Sequence, residues 1–174
     1  YDTNGKVDLH LIKKLDGLSI EAGKYTFTLT EVTDATGNTV KPNGHIEANV
    51  PNDANGKVTF QTITYGLADM DKDANGNVQD TTKYYKVVED QGSNPGVVYD
   101  YTPQIITVLL HDNTKGKIET TTTPEDLDDI VVTNTYDAKG KIELEGTKFL
   151  EGRKFKKGDH IEITIKAVKP ATAP

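Results

Sequence analysis

Three residues of this chain have the chemistry to join to one another. Lys13 carries an amine, Glu89 a carboxyl and Asn134 a carboxamide. A deprotonated amine attacks a carboxamide carbon, ammonia leaves, and the product is a neutral amide between two side chains, with a neighbouring acid to shuttle protons. Such a step needs a dry setting. Desolvation lowers a lysine pKa and raises a glutamate pKa, which yields the neutral amine and the protonated acid that the reaction uses.

The sequence pattern puts each of the three in that setting. Residues two apart on a strand share a face. In the first strand, Val7 to Leu15, the residues Val7, Leu9, Leu11 and Leu15 line one face and Lys13 falls among them, while Asp8, His10 and Lys14 fall on the other. A lone ammonium on an apolar face is costly. Tyr85, Val87 and Glu89 share a face, as do Ile130, Val132, Asn134 and Tyr136. Any one of these polar residues reads equally well as a strand end facing solvent. An amine, an acid and an amide on the first, a middle and the last strand point to one another. A protonated Glu89 is expected to hydrogen-bond the Asn134 carbonyl, polarise it and pass protons as ammonia departs.

The elements that must position them are short strands. Residues 24–30 alternate, with Tyr25, Phe27 and Leu29 on one face. Asp53-Ala54-Asn55-Gly56 leads into Lys57-Val58-Thr59-Phe60, a turn followed by a strand, and a second copy of that turn stands at Asp73-Ala74-Asn75-Gly76. Residues 62–65, 84–89 and 117–123 also read as strands. Residues 105–110 form a near-continuous apolar run, as for a strand covered on both faces. An acidic loop, 124–129, precedes the last strand, 130–136. No helical period is sustained, and turn signals recur about every ten residues, so the chain reads as an all-β sandwich of Ig-like type.

Composition agrees. The chain has 174 residues, 34% hydrophobic, with a net charge of −7 and no Trp, which suits thin cores and many turns. No Lys/Arg cluster suggests nucleic acid, and no apolar run is long enough to span a membrane. No N-terminal signal or wall-anchoring tail is evident, so the chain reads as an excerpt of something larger. There is no Cys, so an extracellular β-protein of this sequence needs a staple other than a disulfide.

The chain also repeats itself. Tyr1-Asp2-Thr3-Asn4-Gly5-Lys6-Val7-Asp8-Leu9 matches Tyr136-Asp137-Ala138-Lys139-Gly140-Lys141-Ile142-Glu143-Leu144, and at the same offset Lys13 meets Lys148, Leu15 meets Leu150, Gly17 meets Gly152 and Gly23 meets Gly158. Residues 1–135 are expected to form one domain, and 136–174 the first two strands of a second, truncated copy. Such a hairpin is marginal alone.

The first unit resembles the streptococcal pilin isopeptide-linkage domain, the FctA-like family of Gram-positive pilins and surface adhesins. The resemblance rests on Leu11 to Gly17, Ala22 to Leu29, Asn52 to Phe60 with Ile63-Thr64-Tyr65, Tyr85 to Glu89, Pro95 to Asp100, and Val132 to Tyr136. It implies a CnaB-like sandwich closed by a Lys13–Asn134 isopeptide bond that Glu89 promotes. It also implies an extracellular, cell-wall-anchored stalk or pilus role, with neighbouring domains of the same surface protein and host surface molecules as partners. In the second copy only the cross-link lysine, Lys148, carries over.

Rival sites are weaker. Asp71, Asp73 and Asn75, with Gly76 in sixth place, match the first half of a calcium loop, but Thr82 stands where a bidentate Glu is wanted and the turn at Asp53 lacks the leading acid. A hairpin turn is the plainer reading. His10, His45, His111 and His160 show no metal spacing, and no cofactor is expected. Glu125, Asp126, Asp128 and Asp129 read as a solvated loop rather than glycosidase carboxylates. The Lys–Glu–Asn chemistry consumes its own reactants, so the chain is not expected to be an enzyme. Two roles stay open: a structural stalk module, and an adhesin domain that binds a host protein or glycan through loops such as 34–49 or 68–82. Tandem repetition favours the first.

Overall fold

The first apolar stretch forms two strands, not one, and they belong to different sheets. In the computed structural model, which describes residues 4–141 and 143–166, β1 (Asn4–Val7) pairs with β6 (Ile63–Gly66), whereas β2 (His10–Asp16) pairs with the last strand, β11 (Val131–Tyr136), and with β5 (Lys57–Thr59). The chain changes sheet at Asp8-Leu9. The β2–β11 pairing is parallel, with Lys13 opposite Val132 and Leu15 opposite Asn134. On the far edge β11 meets a two-residue strand, β8 (Val97–Val98), which completes the order β5-β2-β11-β8.

The facing sheet has five strands. β3 (Thr26–Val32), β4 (Ile46–Pro51), β7 (Thr81–Glu89), β9 (Gln104–Asp112) and β10 (Ile118–Thr123) run in the order β10-β9-β7-β3-β4, all antiparallel. Leu11, Val58 and Val132 from one sheet, with Leu9 just before β2, and Phe27, Leu29, Tyr85, Val87, Ile106 and Val108 from the other fill one core. This is an all-β sandwich of Ig-like type, as the alternation predicts.

Two expectations change. The run at 105–110 is covered on one face only: Ile106, Val108 and Leu110 are buried, but Leu109 is 40% exposed. β9 lies inside its sheet, yet among the described residues no layer packs over the outer face of that sheet at Leu109. Also, β4 lies in a stretch for which the sequence pattern predicts no strand, because pairing with β3 supplies what its own composition does not.

The chain divides into two compact units, Tyr1–Lys139 and Gly140–Pro174. The break falls after Lys139 rather than at 135/136, since Tyr136 closes β11 and the Asp137 N–H donates to the Gly96 carbonyl at 2.7 Å. Among the described residues of the second unit no strand forms, which differs from the two strands expected of 136–174. A hairpin without a third strand has nothing to bury its apolar face against, and Phe149, Ile163 and Ile165 stand 71–80% exposed. Its local order comes from a two-pronged Arg153–Asp159 pair at 2.7 and 2.9 Å. Tyr1, Asp2, Thr3 and Ile142 of the repeat lie outside the described residues, as do residues 167–174.

A buried amine, acid and amide between the sheets

β2 and β11 present Lys13 and Asn134 to the core one side-chain step apart, and β7 presents Glu89 from across the sandwich. Lys13 is held by its backbone as well. Its N–H donates to the Gly56 carbonyl at 2.7 Å, and a Cβ on Gly56 would lie 2.1 Å from the Lys13 carbonyl oxygen. The Asp53–Gly56 turn is thus pressed against the lysine's own peptide.

The three polar groups touch. Lys13 Nζ donates to Glu89 Oε2 at 2.7 Å, and Asn134 Nδ2 donates to Glu89 Oε1 at 2.7 Å. The Lys13 and Glu89 side chains are essentially out of reach of solvent, and Asn134 is wholly buried. Lys13 Nζ also lies over the ring of Tyr25, 4.9 Å from its centre. Burial pushes the Lys13 amine below its ordinary pKa, against an upward pull from its bond to Glu89. Burial pushes the Glu89 carboxyl up, against the bonds from Lys13 and Asn134. Both groups are driven toward their neutral forms.

The orientation of the amide differs from expectation. Asn134 Oδ1 accepts a hydrogen bond from the Asp100 main-chain N–H at 2.8 Å. A backbone N–H only donates, so it must face oxygen, and the amide nitrogen is then left facing Glu89. Glu89 therefore addresses the leaving nitrogen of Asn134 rather than its carbonyl. One carboxyl oxygen meets the amine and the other meets the group that must depart, which is the arrangement a proton shuttle needs.

Several contributors carry no obvious mark in the sequence. Asn52 is buried and fully bonded: Oδ1 accepts from the Tyr25 N–H at 2.9 Å, while Nδ2 donates to the Glu21 and Asp53 carbonyls. It fixes the backbone that carries Tyr25. Tyr99 meets Tyr25 edge-on at 6.1 Å and stacks on Tyr101 at 5.6 Å. Period-two reading would also have flagged Glu31, in line with Phe27 and Leu29. It is buried, but its carboxylate serves Lys41 at 2.6 Å and the His45 N–H at 3.0 Å.

The remaining candidates are elsewhere. Lys148 is exposed. Asp73 turns its carboxylate onto its own loop, where Oδ1 accepts from the Asn75 and Asn77 N–H groups and Oδ2 from Asn77 Nδ2. That is an Asx turn, and among the described residues no group of three or more His, Cys, Asp or Glu is placed to hold a metal. In the acidic loop, Asp126 accepts from the Asp128 N–H and Asp128 pairs with His10 at 2.8 Å.

Fold and site together define a class: an Ig-like β-sandwich with a glutamate hydrogen-bonded to both a lysine and an asparagine inside it. The FctA family model, that of the Spy0128-like isopeptide containing domain, matches residues 9–137, and the chain belongs to this family. Its pilin domains are components of pili and surfaces. No curated protein matches the chain. No helix among the described residues is long and apolar enough to cross a membrane.

Proposed function

We propose that residues 4–137 form a structural shaft or stalk module of a cell-wall-anchored Gram-positive surface adhesin or pilus, locked by an isopeptide bond that it makes itself. The observation that carries this reading is the buried contact of Lys13, Glu89 and Asn134 at 2.7 Å on each side of the carboxyl. The neutral Lys13 amine attacks the Asn134 side-chain carbon. Glu89 takes one proton from the attacking nitrogen at Oε2 and gives its own proton from Oε1 to the departing nitrogen. Ammonia leaves, Nζ and Cγ are joined, and Glu89 is protonated again. The step spends its own side chains and turns over once, so the domain is not an enzyme.

The bond ties β2 to β11, the first and last strands in chain order of the four-stranded sheet. It fills the place that cystines hold in other extracellular sandwiches, in a chain with no cysteine. Intact mass tests the reading: the wild-type protein should weigh one ammonia less than its sequence, and Lys13→Ala should restore the full mass. A full mass for wild type, or a deficit that survives the replacement, overturns it.

A further inference from the structure

We infer that the main-chain N–H of Asp100 is the oxyanion donor for this bond-forming step, and that the Asp100 side chain acts as the positioning group that aims it. The inference rests on the reading above and concerns a part of the site outside the triplet.

As Lys13 Nζ bonds to the Asn134 side-chain carbon, the carbonyl electron pair moves onto Oδ1. Negative charge then builds on that oxygen until the C–N bond breaks and ammonia leaves. Glu89 is turned to the two nitrogens, so it is not placed to stabilise the oxygen. The Asp100 N–H is, at 2.8 Å from Oδ1, inside a site where dipoles act through little intervening water.

Nothing in an irregular loop holds an N–H on target by itself, and the structure shows what does. Upstream, β8 is pinned to β11 through Thr135–Val98 and Tyr136–Val97, which carries the chain past Asn134. Downstream, Asp100 Oδ1 accepts the Thr102 N–H at 2.9 Å, an Asx turn that fixes the peptide on the C-terminal side. On either side of Asp100, Tyr99 and Tyr101 stack with their rings parallel, and the Tyr99 hydroxyl accepts from the Asn94 N–H at 2.9 Å. A two-residue strand, an Asx turn and a ring stack thus converge on one N–H. The half-buried carboxylate of Asp100 spends its hydrogen bond on the turn; it acts on Lys13 and Glu89 only through its charge, as a minor influence beside burial.

Timed conversion provides the test. Wild type, Asp100→Ala and Asp100→Asn are made by cell-free synthesis, quenched in acid at intervals, and weighed for the loss of ammonia. Asn keeps an Asx acceptor and loses the charge, whereas Ala loses the turn. Asp100→Ala should convert at least about tenfold more slowly, a fraction of what loss of an oxyanion donor costs, while Asp100→Asn should stay within about threefold of wild type. Equal rates for wild type and Asp100→Ala, or equal slowing in both variants, overturn the inference. A wild type that never loses ammonia overturns the bond itself, which is a separate outcome. Should Asp100→Ala fail to fold, amide exchange in the Lys13→Ala protein decides. The Asp100 amide should be protected there and should lose that protection when Asn134 is also replaced by Ala. An unprotected amide, or protection that survives the second change, overturns it.

Discussion

Lys13 and Glu89 lie 2.7 Å apart with almost no exposure, and burial acts on them in opposite senses. The consequence shows where the amine cannot be consumed. In Asn134→Ala the folded state holds Lys13 below its ordinary value of 10.5, while the unfolded chain keeps the ordinary value. Between the two, the unfolded chain binds a proton that the folded chain has shed, so stability rises with pH toward 10.5. For Glu89 the folded value lies above 4.5, so its contribution falls as pH climbs past 4.5. With the proposed bond formed, the wild type has no amine left at position 13. Urea unfolding of the two proteins from pH 7 to 10 should therefore show the stability gap narrowing as pH rises, and a constant gap would contradict this assignment.

Among the elements, the two Asp-Ala-Asn-Gly turns make an internal control. Each is closed by its aspartate accepting two backbone N–H groups at 2.8 Å, and each ends in a glycine with positive φ, 87° at Gly56 and 84° at Gly76. Around Gly76 a Cβ would meet nothing within 4 Å; at Gly56 it would run into the Lys13 carbonyl. Gly76→Ala should cost about 1 kcal/mol, for the left-handed backbone alone. Gly56→Ala should cost about 3 kcal/mol or more, because β2 must move as well, and should slow the loss of ammonia. Chemical denaturation and timed mass measurements check both, and equal costs would show that the turn does not brace the lysine. The sequence cannot distinguish these turns, since the difference lies in what each is pressed against. The same limit explains the other gaps. Period-two alternation is local: it puts Lys13, Glu89 and Asn134 on apolar faces, and carried one step past Thr30 it would put Glu31 on one too. Which of these meet is decided by pairing between distant strands. The split at Asp8, the two-residue β8 and the 34-residue reach from Asp100 to Asn134 are all products of that pairing. So is the amide's orientation, which depends on one backbone N–H.

For the molecule as a whole, the proposed tie closes a loop of about 120 residues, which by the chain-entropy model for cystines is worth roughly 4–5 kcal/mol. Replacing Lys13 by Met removes the tie while keeping an apolar stem of similar length beside Glu89. The melting midpoint should then fall by roughly 10–20 °C, read by calorimetry against wild type; a shift of only a few degrees would mean that no tie was present. The parallel pairing of β2 with β11 adds something of its own. In an antiparallel hairpin, pulling apart the two free ends peels hydrogen bonds one at a time. Here tension enters β2 at His10 and leaves β11 at Tyr136, at opposite ends of one ladder. The strands are asked to slide past each other, so every rung is sheared at once and must fail together. By this geometry the domain resists extension along this axis without any cross-link, and under tension a freshly folded module would hold Lys13 and Asn134 in register for the proposed reaction.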